Sequence, residues 1–139
     1  MHGLNDFYRK NRKPKRRQGV AAVEFAVCLP VLVLVVLSTI EVTNAIFLRQ
    51  SLVIAAYEGC KEFATSDGTV TSATGCIQNV LSTRSISSTT ITLTPSDPAL
   101  LVRGATLTAE VAAPLSGNSP IRRFIGDRMI TVRVVMCRK

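Results

Sequence analysis

The chain has 139 residues, of which 47% are hydrophobic, 19% charged and 5% aromatic, with four Cys, one His and no Trp. At about 150 residues per domain this is at most one modest domain. The formal charge of +8 is unevenly placed: residues 1–19 hold Arg9, Lys10, Arg12, Lys13, Lys15, Arg16 and Arg17 against Asp6, whereas residues 20–139 hold ten basic and eight acidic residues. The single His is His2, so a Ser–His–Asp or Cys–His nucleophile and a His-based metal site are excluded from the rest of the chain. The acids beyond the apolar stretch described next are Glu41, Glu58, Glu62, Asp67, Asp97, Glu110 and Asp127, and they form no paired catalytic motif. The chain therefore reads as a non-enzyme that needs no cofactor.

After the basic segment comes Val20–Ile40, with Glu24 as its one charge. At about 1.5 Å per residue it spans about 31 Å, the thickness of a hydrocarbon core. A buried soluble helix is disfavoured, because the remaining residues could not cover a helix that is apolar on all sides. A secretory signal peptide is disfavoured too: the stretch runs into Ser38-Thr39-Ile40-Glu41-Val42-Thr43-Asn44-Ala45, a continuing helical pattern rather than a small-residue cleavage site. The basic residues cluster before the span, and the next one after it is Arg49. Positive charge stays cytoplasmic, which predicts a single membrane pass with residues 1–19 inside and 41–139 outside. The basic run abuts a membrane span and lacks base-reading neighbours, so no nucleic-acid partner is expected.

Glu24 is the informative charge. An acid at the centre of a span costs roughly 2.5–3.5 kcal/mol, and less near the interface. Glu24 lies one helical turn past Val20, so it can reach headgroups or water, or it can serve an intramembrane partner. If the chain were cut between Gly19 and Val20, the new α-amine, with a reference pKa of about 7.7–8.0, would be largely cationic. That amine of one subunit could pair with Glu24 of a neighbour and fix the register of two helices.

The helix is predicted to continue past the bilayer. Ala45, Leu48, Leu52, Ala55 or Ala56, Gly59 and Phe63 recur every three or four residues, with Glu58, Lys61 and Glu62 opposite. Pro30 can kink the span, and Gly59 either weakens the helix or admits a close neighbour. The expectation is one slightly bent helix over about Val20–Ala64. Thr65–Thr69 is a turn, and a second helix is expected over Ser72–Thr83. Ser88–Thr94, Arg103–Ala113 and Met129–Met136 alternate apolar and polar residues, which predicts three antiparallel strands with one face on the helices. The class is α+β: a leader over 1–19, a transmembrane helix over 20–40, its extension over 41–64 and a small extracytoplasmic domain over 65–139. The loop Pro114–Arg128, with Arg122, Arg123, Phe124 and Arg128, reads as a solvated loop with one anchoring Phe, or as a patch for a partner subunit.

The cysteines Cys28, Cys60, Cys76 and Cys137 lack C-x-x-C spacing, so neither zinc nor a redox motif is indicated. A helical hairpin would bring Cys60 towards Cys76, the preferred disulfide in an oxidising compartment, with Cys137 as an alternative partner.

Gly19-Val20-Ala21-Ala22-Val23-Glu24-Phe25 resembles the leader-cleavage site of type IV prepilins. Arg17, Gly19, Val23-Glu24-Phe25-Ala26 and Leu29-Pro30, with Arg49-Gln50-Ser51-Leu52 and Ala55-Ala56-Tyr57-Glu58-Gly59-Cys60-Lys61, resemble more closely the TadE-like pseudopilins of tight-adherence (Flp-type) pilus systems. Cys28 stands where the family often has a small or aliphatic residue. The resemblance is dense from Arg17 to about Ala64 and only general beyond. It implies cleavage between Gly19 and Val20 by a prepilin peptidase, and assembly through Glu24 and Phe25. The implied partners are other pilins or pseudopilins, inner-membrane assembly proteins and lipid, and incorporation into a surface pilus is left open. The alternative function is an uncleaved, single-pass anchor that displays a small binding module.

Overall fold

From Val31 to Glu58 the sequence contains neither Gly nor Pro, so nothing in this stretch interrupts an i to i−4 backbone ladder. In the computed structural model, which describes residues 15–96, 100, 102–118 and 128–139 (side chains from 19 on), helix α1 covers Lys15–Phe63 without a break at Pro30. The run Val31–Ile40 is rich in β-branched residues, which favour strands in water. A segment placed in lipid must satisfy its backbone internally, and a helix does so. Ser38 donates its hydroxyl to Leu34 O and Thr43 to Thr39 O, so neither side chain leaves an unmet donor on the apolar helix.

The chain divides into two units, Met1–Ser38 and Thr39–Lys139. In the first, every described side chain except Leu37 is exposed. The second contains the remainder of α1, helix α2 (Val70–Thr83) and strands β1 (Thr90–Thr94), β2 (Thr106–Pro114) and β3 (Met129–Cys137). The class is α+β, as expected. The strands form one antiparallel sheet in the order β1-β2-β3.

Each boundary has a local cause. Helix α2 starts two residues earlier than the periodicity indicates, because Thr69 and Ser72 form a reciprocal capping box with both hydrogen bonds at 3.1 Å. Strand β1 starts late because Ser88 has φ +58°, a left-handed conformation that a strand cannot accommodate. The preceding Ser87 is held by Asn118, which accepts from Ser87 N and donates to Ser87 O. Strand β2 starts after Gly104, whose φ of +84° suits a residue without Cβ. The loop residues 119–127, including Arg122, Arg123 and Phe124, lie outside the described residues, whereas Arg128 is exposed at the foot of β3.

The core joins one face of α1, one face of α2 and the inner face of the sheet. Leu48, Leu52, Ala55, Ala56, Cys60 and Phe63 meet Ala73, Ile77 and Leu81, and Leu93, Leu107, Ala109, Val111 and Ala113 close the layer. The predicted helical face is therefore the buried one. Burying each large side chain here contributes about 1.5–3 kcal/mol. Gly59 is the close-approach point. A Cβ there would lie within 2.6 Å of Ile77 Cδ1, nearer still to Cγ1, and 3.2 Å from Ala73 O. The backbone of α1 can meet Ile77 of α2 only because position 59 has no side chain.

Gly59→Ala should destabilise the second unit despite the better helix propensity of Ala, which favours it by about 1 kcal/mol. Overpacking typically costs about 1–3 kcal/mol, so the expected net effect is destabilisation by up to about 2 kcal/mol. Thermal unfolding of the full chain in detergent checks this, and the double variant Gly59→Ala with Ile77→Val should recover part of the loss.

Candidate functional site

The residues singled out at the N-terminal end sit on consecutive turns of α1. The Gly19–Val20 peptide lies within the helix, and a Cβ at Gly19 would meet nothing within 4 Å. Val20, Val23 and Phe25 are exposed, as is Glu24. Val20 and Glu24 are an i, i+4 pair, so they share one face and are separated by about 6 Å along the axis. Among the described residues no cation lies within ion-pair distance of Glu24.

Gly19 is the weakest helix former in its turn, and no described side chain fills the space a Cβ there would take. Downstream, the most apolar window of α1 has a mean hydropathy of 2.8 with none of it buried. Among the described residues this is the one helix long and apolar enough to cross a membrane. Among the described residues nothing covers these exposed apolar side chains, a surface that lipid or another helix would cover.

The exposed apolar surface does not stop at residue 40. Val42, Ile46, Val53 and Tyr57 recur on the side of α1 turned away from the core. Ile46, Arg49, Gln50, Val53 and Ile54 line a shallow groove there. Charged residues are sparse on this face, with Arg49 the one between Val42 and Tyr57.

Two polar residues that periodicity alone does not flag are buried on α1. Ser51 is fully buried, and its hydroxyl accepts a hydrogen bond of 3.2 Å from Arg84 at the end of α2. Glu41 is 6% exposed, and its Oε1 has no hydrogen-bond partner, like Asn44 Nδ2 one turn on. Glu41 belongs to the same helical face as Leu48 and Leu52, so the 3.6-residue period places it on that face without flagging its burial. What conceals the signal in the sequence is its chemistry, since an isolated Glu beside a span reads as solvated.

All four cysteines are free thiols in this structure. Cys60 is buried under the sheet, with Sγ 3.9 Å from both Leu107 O and Val134 O. Cys76 is half-buried on α2. Cys137 is exposed: it follows the inward-facing Met136 on β3, and strand alternation therefore turns it to the outer face, away from Cys60. Cys28 is exposed on the apolar part of α1. Burial pushes the Cys60 thiol up from its ordinary value of 9.0, against a smaller downward pull from the backbone N–H groups of Ala109 and Met136. Cys76 is raised as well, first by burial and then by the nearby carboxylates of Glu62 and Glu58, with Lys61 opposing. Among the described residues no group of three or more His, Cys, Asp or Glu side chains could hold a metal ion.

Residues 19–60 match the family model described as TadE-like protein. The match begins at Gly19 and ends on α1, so it takes in Glu24, Phe25 and the exposed apolar face but neither α2 nor the sheet. No curated protein and no solved structure matches the chain.

The raised thiols give a signed pH dependence. Below about pH 9 the thiols are neutral in both folded and unfolded chains, and their contribution is constant. Above it the unfolded thiols release protons that the folded ones keep, so stability falls as pH rises. Denaturant unfolding between pH 8 and pH 10.5 should show this fall, and Cys60→Ala should flatten it. In the native protein at pH 8, iodoacetamide should modify Cys137 first and Cys60 last, as read by mass spectrometry.

Proposed function

From the TadE-like match over residues 19–60, we propose that the protein is a minor pseudopilin, a pilus-assembly component of a tight-adherence system. A prepilin peptidase cuts between Gly19 and Val20, and the mature chain assembles through its N-terminal helix. The observation that carries this reading is the coincidence of three features at one place. The family match starts at the proposed cut, the space a Cβ at Gly19 would take is empty among the described residues, and Glu24 stands exposed one turn beyond as the one charge of the apolar stretch 20–40.

The chemistry follows from the geometry. Before the cut, Val20 carries an uncharged amide. Cleavage gives it an amine with a reference pKa of about 7.7–8.0. A neighbouring chain displaced by one helical turn, about 6 Å, sets its Val20 amine level with Glu24. In a low-dielectric site the resulting pair fixes register, because leaving either charge alone costs several kcal/mol. Phe25 and the surrounding valines supply the apolar contact around it. Before assembly the basic leader holds residues 1–19 on the cytoplasmic side, with the sheet on the other. The partners are the peptidase, other pilins or pseudopilins, inner-membrane assembly proteins and lipid. A Cys60–Cys76 disulfide in the oxidising compartment is a further proposed feature of the mature protein. It requires Cys60 to leave its seat against Leu107 O and Val134 O.

The N-terminus of the membrane-extracted protein tests the proposal. Intact-mass measurement should give a chain that begins at Val20 in cells with the peptidase and at the leader in cells without it. A leader still attached in cells with the peptidase overturns the reading in favour of an uncleaved anchored module. Glu24→Ala should leave cleavage intact while lowering recovery of the protein with its pilin partners at least tenfold, and Glu24→Asp should restore part of it.

A further inference from the structure

Among the described residues, β1 and β3 each present one unpaired edge, and both strands run along α1. Leu107 O, near the start of β2, lies 3.9 Å from Cys60 Sγ. The other end of β2 is tied through Asn118 to Ser87, which closely follows the Arg84 that meets Ser51. Strand β2 therefore runs against α1, and β1 and β3 run with it. Backbone groups in an antiparallel pair alternate in direction. Leu115 N donates to Arg128 O, and Arg138 N donates to Ala105 O. With the observed register, the even-numbered residues of β3 and the odd-numbered residues of β2 therefore address each other. The even-numbered residues of β2 then address Thr90, Thr92 and Thr94. What remains turned to the free edges is the main chain of Ile91 and Leu93 on β1, and of Met129, Thr131, Arg133, Val135 and Cys137 on β3. The apolar layer is covered unevenly between these edges. On β2, Leu107, Ala109, Val111 and Ala113 are buried, whereas Ile130, Val132, Val134 and Met136 on β3 are half-buried, and α2 lies against β1 at the opposite edge.

We propose that β3 pairs in parallel with β1 of a second copy, so that one sheet continues from chain to chain while every α1 keeps the same direction. The inference rests on the reading of α1 as a single span of one orientation, and it does not depend on leader cleavage or on Glu24. Copies that share one orientation in a membrane are related by rotation about its normal or by translation, so their edge strands run the same way. In a parallel pair, a residue that turns its main-chain groups to the partner stands beside one that turns its groups away. Inward-facing Ile91 turns its groups out of its own sheet, and inward-facing Val132 turns its groups towards β2. The second copy's Ile91 therefore stands beside Val132 on one face, and its Leu93 beside Val134, with the helices of both copies on the same side of the joined sheet. Two β3 strands related by a two-fold axis along α1 fail this test, because each residue then stands level with itself and N–H confronts N–H. Across the β1–β3 junction, the second copy's Ile91 donates to Thr131 O and accepts from Arg133 N, and its Leu93 donates to Arg133 O and accepts from Val135 N. The second copy's α2 arrives with its β1, beside the half-covered inner face of β3. Such a head-to-tail contact closes into a ring or continues as an open row.

Site-directed cross-linking of the full chain, in sealed vesicles of uniform sidedness from expressing cells, tests the pairing and its direction. In a background of Cys28→Ser, Cys76→Ser and Cys137→Ser, one tagged chain carries Thr92→Cys and a differently tagged chain carries Thr131→Cys, Arg133→Cys or Val135→Cys. All four positions are exposed on the outer face, so no substitution disturbs the core. Adjacent strands lie about 4.8 Å apart, within disulfide range. Mild oxidation should give the mixed dimer with one of the three β3 variants at least fivefold over either homodimer. The best partner of Thr94→Cys should then lie two residues further along β3 than that of Thr92→Cys, the order of a parallel pair. A chain carrying both substitutions of the best pair should give trimers and larger species, since β2 keeps the two thiols apart within one chain. Thr108→Cys on β2, one strand in from the edge, is the control for random collision with Thr92→Cys. A dominant homodimer of a β3 variant, a reversed order of partners, or mixed dimers no more abundant than the Thr108→Cys control overturns the proposal. A membrane-impermeant maleimide on Thr92→Cys reads the orientation separately in the same vesicles. Complete labelling from one side upholds the single orientation, and partial labelling overturns that reading and this pairing with it.

Discussion

Ile77 seated on the bare backbone at Gly59 is the contact on which the layering of the second unit depends. It brings α2 close enough to α1 for Leu52, Ala56 and Phe63 to share a core with Ala73, Ile77 and Leu81. Interiors packed at crystal-like density transmit such a spacing to their neighbours. The inner face of β2 then closes the layer with Leu107, Ala109, Val111 and Ala113, which alternate larger and smaller side chains along the strand. The small residues of α1, Ala55, Ala56 and Gly59, let its backbone come close to its neighbours in this core. A unit of this size has a marginal core, which makes local devices matter: the Thr69–Ser72 box, the Asn118 clamp on Ser87, and Arg138 donating to Ser66 O at 2.8 Å.

The same helix carries two different kinds of apolar surface. From Leu48 to Phe63 one face is used by the chain's own core and the opposite face remains exposed. From Val20 to Val36 every face is exposed. The two regimes call for different solvents: a half-covered helix can stand in water, whereas a helix apolar all round needs lipid or other helices. Glu24 is the one charge in the second regime, and the proposed α-amine partner converts its cost into specificity of register. The outer face of the sheet is a third kind of surface, rich in Thr and crossed by the exposed Glu110–Arg133 pair, whose contribution to stability is small.

How much of this was legible before the fold is seen differs by element. The apolar run specifies a helix long and apolar enough to cross a membrane, because composition and length suffice when the surrounding solvent is uniform. The buried face of α1 was equally legible, since a 3.6-residue period survives any packing partner. The order of helices before strands, and the alternation in β1, β2 and β3, made the α+β class readable. Element ends were readable only to within a few residues, because they are set by Thr69, Ser88 and Gly104 through caps and positive φ values that no hydrophobic pattern encodes. The burial of Glu41 and Ser51 was not legible as chemistry, although their positions on the helix were.

What the sequence determined by itself is whatever depends on one segment and its solvent: the span, its charge asymmetry, the Gly19–Glu24 spacing, the amphipathic face, and which strand residues face the same way. What only the tertiary structure decided is whatever depends on two segments meeting. That includes the seat of Ile77 on Gly59 and the placement of Cys60 beneath β2 and β3. Periodicity constrains directions around one axis, while distances between axes come from the joint packing of side chains that lie far apart in the chain.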